Sequence, residues 1–166
     1  MRIEKDRYYL EIAKAVALRS PCIRRKYGAI VVKNDSIVST GYNGPARGST
    51  NCEIGCAKEI LNLPHYSGYD YCPAVHAEEN CIANAARNGS SVLGGTLYLY
   101  GIDAKSGKPV AGMPCPRCKR LLINAGIKDV VTINDNEDIV RFYVEEWSKE
   151  DKENYEKIIQ ELMKKK

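Results

Sequence analysis

No stretch of this chain approaches the run of about twenty apolar residues that a membrane helix needs. Its first residues, MRIEKDRYYLEIAKAVALRS, carry charges from the outset and contain no apolar core of the kind an export signal requires. Lys and Arg are interleaved with Asp and Glu, the net charge is only +4, and no basic block stands out, which argues against a dedicated nucleic-acid binder but leaves room for a small anionic substrate. There is no internal repeat and no low-complexity tract, and the chain holds only two histidines. These absences leave a protein expected in the cytoplasm, with no membrane partner and no stable nucleic-acid partner. Its 166 residues, 44% hydrophobic, suffice for one domain with a real core. Seven cysteines, an odd number without an export signal, fit reduced thiols and metal better than disulfides.

Helix and strand patterns alternate along the chain. Tyr9, Ile12, Ala13, Val16 and Ala17 recur at helical spacing, so Glu4 to Leu18 is predicted to be an amphipathic helix. The apolar runs Ala29 to Val32 and Ile37 to Thr40 flank Asn34-Asp35 and predict a hairpin. Asn43 to Pro73 has no periodicity; so long a loop in a compact domain is usually functional, and substrate contacts are expected there. Helices are expected over His76 to Arg87 and Cys115 to Asn124, and strands over GGTLYLYG and IKDVVTI. Helices crossing between strands imply a three-layer α/β/α sandwich. The tail is expected to be a charged helix from Val140 to Lys166, an extension of residues 134–166 on a single domain of residues 1–166.

Cys115 and Cys118 in PCPRC form a Cys-x-x-Cys, which alone suits a redox pair, half of a structural zinc site or two chance core thiols. Upstream, His76-Ala77-Glu78 opens a predicted helix just as Pro114-Cys115-Pro116-Arg117-Cys118 opens the next. One His and two Cys supply three tetrahedral zinc ligands and leave a fourth position for water, the ligand count of a catalytic site. The positive ends of two helices favour Cys115 and Cys118 as thiolates. Glu78, two residues past His76, does not share its helix face and is better suited to reach the metal's water than the metal. H-x-E followed by P-C-x-x-C is the signature of zinc deaminases of nucleobases, in which the glutamate serves as acid and base in turn.

With CIRRKYGAIVV, GYNGPARG, NCEIGC, CPAVHAEENCI, PCPRC and INAGI in this order, the chain resembles the deoxycytidylate (dCMP) deaminase family, from about Arg19 to Ile127. The resemblance implies a cytidine-deaminase-like fold with a central mixed sheet, and hydrolysis of dCMP to dUMP and ammonia. It implies His76, Cys115 and Cys118 as zinc ligands and Glu78 as proton shuttle. Asn43 and the backbone of Ala77 would touch the nucleotide, and Lys26 and Arg87 would sit near its 5′-phosphate. It also implies a homo-oligomer, commonly a hexamer, regulated by dCTP and dTTP. The chain departs from the family pattern at Gly44-Pro45-Ala46-Arg47-Gly48, where Ala-Pro is the usual order, at Glu79, where Gln is common, and at Cys81.

Cys81, in an apolar context one turn into its helix, is expected to be a core residue. Cys22, Cys52, Cys56 and Cys72 cluster about the long loop and, with His65 as a further candidate, could hold a second, structural zinc; the alternative is buried free thiols. Two other functions compete with dCMP deamination. One is deamination of another base, nucleoside or nucleic acid, the last of which calls for a basic or aromatic groove. The other is a non-catalytic zinc-stabilised interaction module, which has no use for Glu78.

Overall fold

In a computed structural model that describes every residue except His65 and Lys166, the chain forms five principal strands between two helical layers. Helix α1 (Lys5–Ala17) is capped by the Glu4 carboxylate, which accepts the Asp6 and Arg7 amides, and it buries Tyr9, Leu10, Ala13 and Ala17. Strands β1 (Arg25–Lys33) and β2 (Ser36–Tyr42) make the expected hairpin. Asn34 and Asp35 turn it with φ of 51° and 58°, the left-handed backbone that a two-residue hairpin of matching twist demands.

The long segment that follows is not extended coil. Its two ends are clipped together by a short antiparallel pair, β3 (Gly44–Pro45) and β4 (Ala74–Val75). Between them lie one-turn 3-10 helices at Cys52–Ile54 and Tyr69–Tyr71 and a single helical turn, α2 (Ala57–Ile60). Helix α3 (Ala77–Arg87) comes next, then β5 (Thr96–Asp103), a short β6 (Pro109–Val110), α4 (Pro116–Asn124), β7 (Asp129–Ile133), β8 (Ile139–Tyr143) and α5 (Val144–Met163).

The sheet runs β2-β1-β5-β7-β8, with β6 also paired to β5. Only β5 and β7 are parallel, joined through α4, so the sheet is mixed. The middle strand β5 is buried from Leu97 to Ile102 and reads accordingly as a continuous apolar run. Ile30, Val32, Tyr98, Tyr100, Val131 and Ile133 face α1. Ala29, Val31, Leu97, Leu99 and Val130 face the other way, onto Ala77, Cys81, Leu122 and Trp147 of α3, α4 and α5. The three-layer α/β/α expectation holds, and Cys81 is fully buried as a core residue. Gly41 of β2 lets α3 approach closely, since a Cβ there would collide with the backbone of Ala77 and Cys81.

The tail departs from expectation. Ile139 to Tyr143 is a strand antiparallel to β7, and the helix begins only at Val144. A β-branched and aromatic run, Ile139-Val140-Arg141-Phe142-Tyr143, suits a strand. Arg141 anchors it by pairing with Asp129 across the ladder and with Asp6 of α1, 2.7 Å away. The extension therefore supplies an edge strand before it becomes helical.

Candidate metal centre and cavity

Two helix starts meet at one edge of the sheet. His76 is the residue preceding α3 and Cys115 the residue preceding α4, with Pro116 in the first turn, where its missing N–H costs nothing. The carboxylate of Glu79 accepts the His76 amide at 2.8 Å, and its other oxygen lies 3.4 Å from the Arg117 guanidinium. One side chain thus caps α3 and ties its first turn to that of α4.

Their donor atoms converge. His76 Nδ1 lies 3.6 Å from Cys115 Sγ and 3.4 Å from Cys118 Sγ. Zinc–sulfur bonds of about 2.3 Å and a zinc–nitrogen bond of about 2.0 Å, at a tetrahedral angle, require donors about 3.5 Å apart. The spacing fits that ion, and this is the one group of three His, Cys or carboxylate donors among the described residues with all atoms within 4.8 Å. The Cys115 thiol is drawn down to about 3, first by the hydrogen bond from Cys118 and further by His76, while that same bond drives Cys118 upward. The trio shares protons that a divalent cation would displace.

Glu78 is 5% exposed. Burial pushes its carboxyl well up, against the opposing pulls of its own backbone N–H and of His76. A carboxyl so placed holds a proton more readily than one in water. It faces a cavity of about 340 Å³, lined also by His76, Ala77, Cys115, Asn43, Leu99 and Met113 and by the aromatic rings of Tyr27, Tyr66 and Tyr69. The Tyr69 ring sits 5.7 Å from the His76 ring, and the Tyr66 hydroxyl donates to the Met113 carbonyl at 3.3 Å.

The expected substrate contacts divide. Asn43 and Ala77 line the cavity. Asn43 also organises its wall: its Oδ1 accepts the Ser20 hydroxyl and the Tyr27 amide, each at 2.7 Å, and its Nδ2 donates to the Arg25 carbonyl at 2.9 Å. Lys26 and Arg87 do not line it; Arg24 and Arg25 do. In β1 alternate residues point to opposite faces, so Tyr27 turns with Ala29 toward the cavity side and Lys26 turns with Gly28 and Ile30 toward α1. That alternation was the available signal for Arg25. Arg87 is exposed in the last turn of α3.

Cys22, Cys52, Cys56 and Cys72 line the same cavity. They are near enough that, after burial, Cys22, Cys72 and Cys56 each help to raise the Cys52 thiol. Their sulfurs are not gathered within 4.8 Å as the first trio is. His65, the further candidate, lies outside the described residues.

Residues 3–134 match the model of the cytidine and deoxycytidylate deaminase zinc-binding region. The chain belongs to that family. It is 36% identical to a deoxycytidylate deaminase of Mycobacterium phage D29 over 78% of this chain and 94% of the phage protein. It is 35% identical to the deoxycytidylate deaminase of Schizosaccharomyces pombe over 76% of this chain; the match spans only 36% of that longer protein. Among solved structures, a dCMP deaminase from cyanophage S-TIM5, in complex with dCMP and dUMP, is similar at 30% identity and a TM-score of 0.59, over 81% of this chain and 84% of that one. The family region ends before β8 and α5, which lie beyond residue 134.

Proposed function

We propose that this family member hydrolyses dCMP to dUMP and ammonia, with His76, Cys115 and Cys118 holding a zinc ion and Glu78 moving protons. The observation that carries the reading is the ligand trio at zinc spacing beside a buried carboxyl, in a cavity that also presents Arg24 and Arg25. Its relatives from phage D29 and fission yeast are deoxycytidylate deaminases, and the cyanophage enzyme was solved with dCMP and dUMP.

When bound, zinc supplies a water acidic enough to lose a proton near neutral pH. Glu78 would take up that proton and give it to N3 of the pyrimidine as C4 is attacked, then take the proton of the new C4 hydroxyl and give it to the amino nitrogen, which leaves as ammonia while the C4 carbonyl forms. The aromatic wall of Tyr27, Tyr66 and Tyr69 shapes a slot for a flat base, and Asn43 and the Ala77 backbone border it. Arg24 and Arg25 offer cationic forks to a phosphate, replacing Lys26 and Arg87 in that role.

The same reading includes a structural zinc on the Cys22, Cys52, Cys56 and Cys72 loop, a cytoplasmic setting that keeps these thiols reduced, assembly of several copies, and dCTP and dTTP as regulators. No helix of the described residues is long and apolar enough to cross a membrane. The deciding experiment offers zinc-loaded protein dCMP, CMP, deoxycytidine, cytidine, AMP and a cytosine-containing single strand, and measures ammonia. Preferred release from dCMP is expected. Preference for deoxycytidine or for the strand overturns the nucleotide reading, and release from none of them leaves a non-catalytic zinc module.

A further inference from the structure

Helix α5 begins as part of the domain. Val144 and Trp147 are buried, Lys119 of α4 pairs with Glu150, and Arg120 pairs with Asp151 at 2.8 Å. Beyond Asp151 the domain ends but the helix does not: every described residue from Lys152 to Lys165 is exposed. At 1.5 Å per residue, Lys152 to Met163 projects about 18 Å.

This projecting part is amphipathic. Tyr155, Ile158, Ile159, Leu162 and Met163 are 62, 51, 37, 55 and 71% exposed, and their spacing of three and four residues places them on one stripe. That stripe continues the face on which Val144 and Trp147 pack into the domain. Twelve helical residues with no tertiary packing are marginal in water, and so contiguous an apolar face marks an interaction surface. Residues beyond 134 lie outside the family match.

Charge identifies the partner. Residues 149–156 hold Glu150, Asp151, Glu153 and Glu156 against Lys149 and Lys152, a net charge of −2, and residues 157–165 hold Lys157, Lys164 and Lys165 against Glu161, a net charge of +2. Two such helices lying parallel would set like charge beside like. Lying antiparallel, each basic end meets the other's acidic half while the apolar stripes close on each other, an arrangement that a two-fold axis makes self-complementary. We propose that the exposed stripe of α5 docks, antiparallel, on the same stripe of a second copy of this chain.

The test is molar mass by sedimentation of the full-length protein. Ile158→Glu/Leu162→Glu is expected to halve the mass, with the zinc content and cavity untouched because these residues are remote from both. Lys164→Glu/Lys165→Glu and Glu153→Lys/Glu156→Lys are each expected to halve it too, since each gives both halves of the helix the same net sign. Mixed in equal amounts at low salt, these two variants regain the wild-type mass, because only the mixed pair is complementary. A wild-type mass unmoved by Ile158→Glu/Leu162→Glu overturns the proposal. So does a mixture that fails to recover, or a wild-type monomer that sediments with vesicles of anionic lipid, which would make α5 a surface-binding helix instead. None of these results bears on ammonia release, so this proposal and the deaminase reading fail separately.

Discussion

Two sets of thiols border one cavity and differ in what holds them. Cys115 and Cys118 ride on the start of α4, opposite a histidine fixed at the start of α3, and their donors stand at ligating distance from His76. Cys22, Cys52, Cys56 and Cys72 sit on and beside a loop that, between β3 and β4, forms single turns among its described residues, and their sulfurs are neighbours without forming a closed cage. Helix backbone hydrogen bonds place the first set before any ion arrives. In the loop, conformational entropy opposes such placement, and an ion would have to supply it. Preorganisation belongs to chemistry and adaptability to support.

The most severe way to break the preorganised set is to leave its geometry intact and remove its proton carrier. Glu78→Gln is expected to lower kcat by about 10³-fold or more, since general acid–base catalysis by one group is worth about 10²–10⁴ and this group acts more than once. Zinc content, measured by metal analysis, should not change, because Glu78 is not among the converging donors. Loss of zinc in this variant would make Glu78 a ligand and sink its role as shuttle.

Next in size is the cationic end of the cavity. Arg25→Ala should raise KM for dCMP about 10- to 100-fold, the loss of one charge-assisted contact of about 1.5–3 kcal/mol, with Arg24→Ala similar. Slow turnover of deoxycytidine should hold steady. An equal loss on both substrates would instead mean that Arg25 supports the Tyr27 wall, where its charge draws the phenol's pKa down against burial.

The adaptable set is tested by Cys52→Ser/Cys72→Ser. Bound zinc is expected to fall from two per chain to one, with a lower melting temperature and only a few-fold loss of activity. A wild-type stoichiometry of one would leave these thiols as buried neighbours. Glu78 gives a finer test on metal-free protein. Burial raises its pKa, so the stability it permits is full below about pH 4 and is lost as pH rises through the elevated value. Metal-free Glu78→Gln should therefore melt above metal-free wild type at pH 7, and the gap should close in acid.

How far the sequence disclosed all this follows the same divide. Helix periodicity and the paired H-x-E and Cys-x-x-Cys spacings made the α3–α4 edge legible, because a short-range pattern there fixes a short-range geometry. β8 was missed because Arg141 and the charged tail read as exposed helix, whereas its place depends on Asp129 and Asp6, twelve and more residues away in sequence. The loop's fold was illegible for a related reason: β3 and β4 are two residues each, too short to carry a period, and they pair across the whole segment.

The smallest expected effect concerns the cations that the family resemblance favoured. Arg87 lies eleven residues past His76, about 16 Å along α3 by helical rise, and its side chain is exposed rather than turned into the cavity. Lys26 is nearer in sequence to the cavity wall but alternates onto the α1 face. A phosphate held by Arg24 and Arg25 gains little from Arg87, because exposed charges more than about 10 Å apart are screened at ordinary ionic strength, and little from Lys26, which is directed to the opposite face of the sheet. Arg87→Ala and Lys26→Ala should each change KM for dCMP by less than about twofold, measured beside Arg25→Ala under the same conditions. A tenfold rise from Arg87→Ala, with deoxycytidine unaffected, would return the phosphate to the far end of α3. Reach along one helix cannot bridge that distance, so the contact would have to come from Arg87 of a neighbouring copy. The cavity would then be completed by assembly, and dilution below the assembly's dissociation constant should raise KM for wild type to the variant's value.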